Sequence, residues 1–204
     1  FKLPSFFALG HPFVGNANLK PERSKNYDLS IEGSFIKEKL ISRVSIYDNT
    51  FSDLIDFDPI AFTNVNRSKV SARGAEVSIT YESTKQLNVA GQVSYNKINT
   101  FEAETVLRRR PEWKGSLQLN YSPVEDLSLM TRITFNDDYF DSSIPTSMVT
   151  MKGSNQVDMS ATWQANNSTN LRLNINNILN NHAEQAIGFE NTGRNFMLSL
   201  SKHF

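Results

Sequence analysis

From Asn26 to the end of the chain, apolar side chains recur at every second position, in segments of about ten residues separated by polar or turn-forming stretches. Successive side chains on a strand point to opposite faces, so this period commits the chain to strands with one apolar and one polar face. Tyr27, Leu29, Ile31 and Phe35 alternate with Asp28, Ser30, Glu32 and Ser34. Leu40, Val44 and Ile46 follow across the Lys37–Glu38–Lys39 turn, in a phase that Ile41 and Tyr47 contest. Ala75, Val77, Ile79 and Tyr81 mark a third segment, Leu87, Val89, Val93 and Tyr95 a fourth, and Trp113, Leu117, Leu119 and Tyr121 a fifth. Segments beginning at Leu127, Val157 and Leu171 add three more, and the chain finishes on Phe196, Leu198, Leu200 and Phe204. The total is about nine strands, or ten if Phe1 to Leu3 closes an earlier one.

The longest unbroken apolar run is four residues, Phe6 to Leu9, against the roughly 20 that a membrane-spanning helix needs. A chain of this pattern can cross a bilayer only as a barrel, where every backbone group pairs with a neighbouring strand. The connections point the same way. Short turns at 37–39, 82–86, 122–126 and 165–170 alternate with long stretches at 1–23, 51–66, 101–110, 137–155 and 180–193, all five read as loops. Tight turns on one rim and long loops on the other is the layout of an outer-membrane barrel, whereas Greek-key connections in a sandwich would not keep that order.

The expected fold is therefore all-β, a transmembrane antiparallel β-barrel in the bacterial outer membrane. Its long loops would lie outside the cell and its C-terminus on the periplasmic side. Phe196, Leu198, Leu200 and Phe204 would form the C-terminal assembly strand, with Phe204 at the interfacial girdle and Lys202 snorkelling to the interface. Tyr27, Tyr81, Tyr95, Trp113, Tyr121, Phe135 and Trp163 sit near strand ends on the apolar face, where girdle aromatics belong. Asp28, Glu32, Glu76, Lys114, Arg132, Asp158 and Arg172 fall on the opposite, lumenal face. An Arg or Lys facing lipid at the midplane would cost about 2–4 kcal/mol. A soluble sheet with one wet face segregates charge too, so this feature weighs only together with the turn rhythm and the aromatic ends.

The 21 basic and 21 acidic residues cancel, so no net field favours nucleic acid or an anionic membrane surface. The absence of cysteine removes disulfide frameworks and thiolate metal sites. His11, His182 and His203 are scattered without metal-ligand spacing, two on loops and one at the opposite rim. No catalytic constellation emerges. An enzyme, a resident cofactor and a metal site are not expected.

Phe1-Lys-Leu-Pro4, then Gly15-Asn-Ala-Asn-Leu-Lys-Pro-Glu22 leading into Ser24-Lys-Asn-Tyr-Asp28, resembles TonB-dependent outer-membrane receptors. Ala17 stands where that family usually has proline. Ala72-Arg-Gly-Ala-Glu76, Leu107-Arg-Arg-Arg-Pro111 and Asn174-Ile-Asn-Asn-Ile-Leu-Asn180 agree in order. The last looks like a weakened Asn-Leu-Phe-Asp pattern, with Ile178-Leu179 for Leu-Phe and Asn180 for Asp.

The resemblance implies that residues 1–204 are the C-terminal nine or so strands of a barrel of about 22. The family's plug domain and TonB box are missing from it, and since the chain starts at Phe1 rather than Met, further sequence is expected upstream. Alone, such a partial barrel leaves two open edges, which are costly in lipid. The implied function is uptake of a scarce large nutrient, such as a ferric siderophore, haem or cobalamin, with energy supplied through TonB. Implied partners are the TonB complex, outer-membrane lipid and lipopolysaccharide, the barrel-assembly machinery and a metal chelate or similar substrate.

Candidate substrate contacts on the loops are His11, Phe13, Arg108, Arg109, Tyr139 and Phe140, because aromatics and cations suit flat, often anionic chelates. Arg108 to Arg110 have competing readings, in which they bind lipopolysaccharide phosphates or pair with Glu102 and Glu104 of their own loop. Phe6, Phe7 and Phe13 have another, in which they pack their loop. Glu76 and Arg132 are candidates to face the plug, against a reading as solvated lumen lining. A passive porin-like channel and a soluble secreted β-sandwich adhesin are the alternatives for the whole chain.

Overall fold

A computed structural model of the chain describes residues 1–101, 107–143 and 145–203. A short helix, α1 (Phe6–Gly10), precedes six consecutive strands: β1 (Arg23–Phe35), β2 (Leu40–Asp58), β3 (Thr63–Glu82), β4 (Leu87–Thr100), β5 (Trp113–Val124) and β6 (Leu127–Asn136). A separate hairpin, β7 (Tyr139–Ser143) and β8 (Ser147–Met151), interrupts the series. Then come β9 (Ser154–Asn166), β10 (Thr169–Asn176), a small hairpin of β11 (Glu184–Ala186) with β12 (Phe189–Glu190), and β13 (Asn195–Lys202). The main sheet has nine strands in the order β1-β2-β3-β4-β5-β6-β9-β10-β13, every neighbouring pair antiparallel. β1 and β13 are its two edges.

The register aligns the alternating residues into continuous rows. Leu29, Ile46, Ala75, Tyr95 and Trp113 lie abreast across five strands, and Ile31, Val44, Val77, Val93, Gly115 and Phe135 form the next row. Toward the short-turn rim, Tyr121, Leu129, Ala161, Leu173 and Leu198 make another. Strands β4, β5 and β6 each carry this face over eight residue steps, about 27 Å along the strand at 3.4 Å per step. A tilt of about 40° reduces that to roughly 20 Å of height, close to the apolar band of a membrane barrel. The contested phase of β2 is settled by pairing. Ile46 lies beside Leu29 and Ala75, whereas Tyr47 lies beside Asp28 and Gly74 on the polar face.

These apolar rows are not buried. Leu29, Ile31, Ile46, Trp113, Leu173 and Leu198 are all exposed, and Leu200 keeps 71% of its surface. Among the described residues the buried apolar side chains are Ala8, Leu19, Val70, Ala72, Met151 and Ala186, all in or next to the long-loop end. A water-soluble sandwich would cover its apolar rows with a second sheet. Here the continuous apolar face is the outer surface, far larger than the patches soluble proteins expose.

One expectation changes. The stretch 51–66, read as a loop, is instead the upper part of the β2–β3 hairpin, paired from Phe51↔Val70 through Asp58↔Thr63 in the same register on both sides of Asp53, which has a φ of 57°. Once strands rise above the apolar band they need no apolar face, so Asp53, Asp56 and Asp58 do not end the strand. Of the three loop phenylalanines, Phe6 keeps 95% of its surface, whereas the exposed Phe7 and Phe13 rings lie 4.6 and 6.0 Å from the His11 ring of their own loop. The expectation for Phe204 falls outside the described residues.

Candidate functional site at the looped mouth and inner wall

The Gly15 to Glu22 stretch clips the N-terminal segment to the β2–β3 hairpin. Gly15 closes a tight turn, its N–H donating to the His11 carbonyl at 2.8 Å, and a Cβ there would strike the His11 backbone. The Asn16 amide donates to the Asn64 carbonyl at 2.9 Å, while its oxygen accepts from Asn18 N–H at 3.0 Å. Lys20 and Asn66 exchange two hydrogen bonds, and Leu19 is buried. Glu22 then ties this segment to β2 just beyond Asp53. One carboxylate oxygen accepts from Ile55 N–H at 2.9 Å and the other meets Lys2 Nζ at 3.0 Å. The motif that carries the family resemblance thus has a mechanical role.

A second tie joins three long loops. Asp141, at the third position of β7, is fully buried with 0% of its surface exposed. Its Oδ1 accepts from Ser142 N–H at 2.9 Å, and its Oδ2 accepts from Ile187 N–H at 3.2 Å and from Arg109 Nε at 3.1 Å. Arg109 adopts a positive φ of 57° and its own N–H donates to the Phe140 carbonyl at 2.7 Å. Burial by itself would raise the Asp141 carboxyl. The Ser142 and Ile187 N–H groups and the Arg109 guanidinium outweigh it and hold the carboxyl below the usual range. Beside it, the Tyr139 hydroxyl donates to the Glu184 and Gln185 carbonyls, and burial, then the Asp141 charge, pushes its pKa up.

A third tie sits where β10 ends. Asn177 keeps 3% of its surface and has a φ of 52°. Its side-chain amide donates to the Asn181 and Thr192 carbonyls, its oxygen accepts from Asn181 N–H at 2.9 Å, and its backbone N–H donates to Asp158 Oδ1 at 2.8 Å. Asn180 Oδ1, at the position of the family's Asp, accepts from Arg194 N–H at 2.9 Å.

Among the sequence candidates, Arg109, Tyr139 and Phe140 come together at this mouth. Arg109 and Tyr139 border one groove beneath the loops, and Tyr139 and Phe140 border a second with Arg110. Arg108 stands apart, with its guanidinium carbon 5.5 Å from the centroid of the Phe57 ring. His11 caps the end of α1, where its Nδ1 accepts from Phe13 and Val14 N–H, each at 3.3 Å, and its ring lies 4.6 Å from that of Phe7. Phe13 projects outward. Glu102 and Glu104 lie outside the described residues. Glu76 and Arg132 border the same groove of about 740 Å³ on the polar face of the sheet, with Arg43 and Lys114. They are not partners of each other, since Arg132 lies opposite Asp158 and Glu76 opposite Ser45 and Ser94. Sequence reasoning missed Asp141, Asn177 and Glu22 as organisers of the mouth. Only Glu22 and Asn177 lie in stretches that the resemblance marks.

An antiparallel meander that is apolar outside, charged inside and looped on one rim defines part of the wall and mouth of an outer-membrane-type β-barrel. The sequence matches the family described as TonB dependent receptor-like, beta-barrel over residues 1–178, and the chain belongs to that family. Its members are outer-membrane β-barrel transporters rather than enzymes. Among solved structures, the chain resembles the ferripyoverdine receptor of the outer membrane of Pseudomonas aeruginosa, with a TM-score of 0.75 at 18% identity over 92% of this chain and 28% of that one. It resembles the ferric-catecholate import receptor Fiu from Escherichia coli K12 with a TM-score of 0.76 at 17% identity, covering 100% of this chain and 30% of that one. For the copper transporter OprC the values are 0.78 and 15%, over 100% of this chain and 35% of that one. The chain therefore spans about a third or less of the length of these structures, and the likeness is one of fold.

Proposed function

We propose that this chain is the C-terminal part of the barrel of a TonB-dependent importer, with its long loops outside the cell and its C-terminus on the periplasmic side. The observation that carries this reading is the nine-stranded, inside-out meander, eight of whose strands lie within the matched family region. The cargo would be a scarce large nutrient such as a ferric siderophore, haem or cobalamin. His11, Phe13, Arg108, Arg109, Tyr139 and Phe140 are the proposed loop contacts, because their rings and cations suit flat anionic chelates. Glu76 and Arg132, on the polar groove of the inner wall, are the proposed contacts to a plug domain encoded upstream. TonB, lipopolysaccharide and the barrel-assembly machinery are the proposed partners.

The test is uptake of labelled ferric siderophores, haem and cobalamin by the native host, by a strain with this gene disrupted, and by a strain with TonB inactivated. Loss of one cargo in both mutants supports the reading. A cargo lost on gene disruption but still taken up without TonB would instead make the protein a passive channel.

A further inference from the structure

Arg109 is held more firmly than an exposed loop arginine needs to be. Its backbone sits at a φ of 57°, a left-handed conformation unfavourable for a residue with a long side chain, and its N–H donates to the Phe140 carbonyl at 2.7 Å. The side chain is anchored by Nε alone, 3.1 Å from Oδ2 of the fully buried Asp141. Among the described residues neither terminal nitrogen makes a hydrogen bond or ion pair, and the side chain stays 55% exposed. A guanidinium held through Nε keeps its outer edge free, and the two parallel N–H groups of that edge match the two oxygens of a carboxylate.

Arg109 borders a groove of about 350 Å³, at the small end of ligand sites and sized for one arm of a chelate. The floor is the inner wall, where Lys114 on β5 lies opposite Asn136 on β6. Lys114 is exposed and makes no ion pair among the described residues. Of the described residues bordering this groove, Glu184 is the one acid, and its Oε2 accepts from Gly188 N–H at 3.3 Å. The neighbouring groove has the opposite character, because Glu112, Asp137 and Asp138 outnumber Arg110 there. Tyr139 borders both. A cargo held at Tyr139 therefore has its acidic group drawn to the Arg109 side.

We propose that Asp141 is a positioning residue for cargo recognition, setting Arg109 as a fixed fork for a carboxylate of the cargo, with Lys114 as the second cation. Asp141 has no exposed surface and does not itself touch the cargo. It acts by fixing a long, otherwise mobile side chain before the cargo arrives, so that less entropy is lost on binding. The inference rests on the importer reading above and names the cargo class within it, a chelate with a free carboxylate.

The test uses the full-length receptor in detergent and reads binding by calorimetry. The probes are ferric citrate, which carries free carboxylates, and a neutral ferric trihydroxamate, which carries none. The native protein should bind ferric citrate at least about tenfold more tightly than the trihydroxamate, the difference that one charge-assisted bond makes. Arg109→Lys keeps the charge but loses the fork and should weaken ferric citrate about tenfold, and Arg109→Gln about a hundredfold. Asp141→Asn should weaken it about tenfold, yet by no more than about twofold in a protein that already carries Arg109→Gln. A residue that only holds the loops together predicts instead the same loss in both backgrounds. Equal binding of the two probes, no binding of ferric citrate, undiminished binding by Arg109→Gln, or additive losses in the double variant would each overturn the proposal. Folding of each variant is checked by heat-modifiable electrophoretic mobility. The uptake assay keeps the two readings separate. A receptor whose uptake depends on TonB but which shows no carboxylate selectivity refutes the fork alone, whereas uptake that persists without TonB refutes the importer reading.

Discussion

Replacing Asp141 by Asn tests whether one buried carboxylate holds the mouth together. Oδ2 accepts from both Ile187 N–H and Arg109 Nε, and Oδ1 from Ser142 N–H. An amide nitrogen cannot accept, so whichever way the substituted side chain turns, at least one donor loses its partner. An unsatisfied buried donor costs about 1–3 kcal/mol, and the remaining bonds fall from the charged to the neutral class. The Arg109 side chain is 55% exposed, so its ion pair is screened and adds less than about 1 kcal/mol. The sum is about 2–3 kcal/mol of loop closure, or a 30- to 150-fold rise in opening. Hydrogen exchange on the full-length receptor should show this increase at residues 139–143 and 184–190, with β4 to β6 unchanged.

The pH dependence gives an independent reading. The folded carboxyl lies below its ordinary value, so its contribution is complete above about pH 4 and is lost as pH falls through the folded value. Protection factors at Ile187, corrected for intrinsic exchange, should hold from neutrality to about pH 5 and fall in stronger acid, and the Asp141→Asn protein should lack that step. Unchanged protection at Ile187 in the variant would refute the assignment of Asp141 as the tie.

Leu173→Arg places a cation on the lipid face and should cost about 2–4 kcal/mol, whereas Asn174→Arg on the lumenal face should be tolerated. The folded fraction from heat-modifiable mobility separates them, and equal losses would contradict the face assignment. Asn177→Ala removes three buried side-chain hydrogen bonds at a positive φ, and about 2–3 kcal/mol of local stability should go with them. Exchange at Asn181 should rise at least about 30-fold, and protection equal to wild type would count against the tie. Glu22→Ala leaves Ile55 N–H without its side-chain acceptor, and exchange at 53–57 should rise about tenfold, near 1.4 kcal/mol. The exposed Lys2 pair adds little to that value, so Lys2→Ala should leave exchange at 53–57 nearly unchanged.

The nine strands are legible because lipid imposes a strict two-residue period, and a shift of one residue would turn every side chain to the wrong face. Where that constraint ends, so does the legibility. Asp53, Asp56 and Asp58 make 51–66 look like a loop, although backbone pairing continues to Thr63. Ile41 and Tyr47 obscure the phase of β2. Tyr47 fits the polar face because Gly74 opposite it has no Cβ, which would otherwise strike the Tyr47 ring. Asp141 leaves no local trace, since its partners Arg109 and Ile187 lie 32 and 46 residues away. Arg109 stands out in the sequence as a substrate contact for its charge, and the structure adds a bond from its Nε to Asp141 while the side chain stays 55% exposed.

Wall and mouth are stabilised by different physics, and that division determines where change is tolerated. The wall has almost no buried side chains of its own, and its apolar rows gain their free energy from surrounding hydrocarbon. Substitutions there are governed by face and depth rather than by packing. The mouth stands in water, where Glu22, Asp141 and Asn177 supply acceptors or donors to backbone groups of segments distant in sequence. Each tie is polar and directional, so loop residues that carry none of these bonds, Phe13 and Phe140 among them, can vary without loosening the frame. Under the proposed receptor function, cargo would change through the exposed loop side chains while the three buried ties remain.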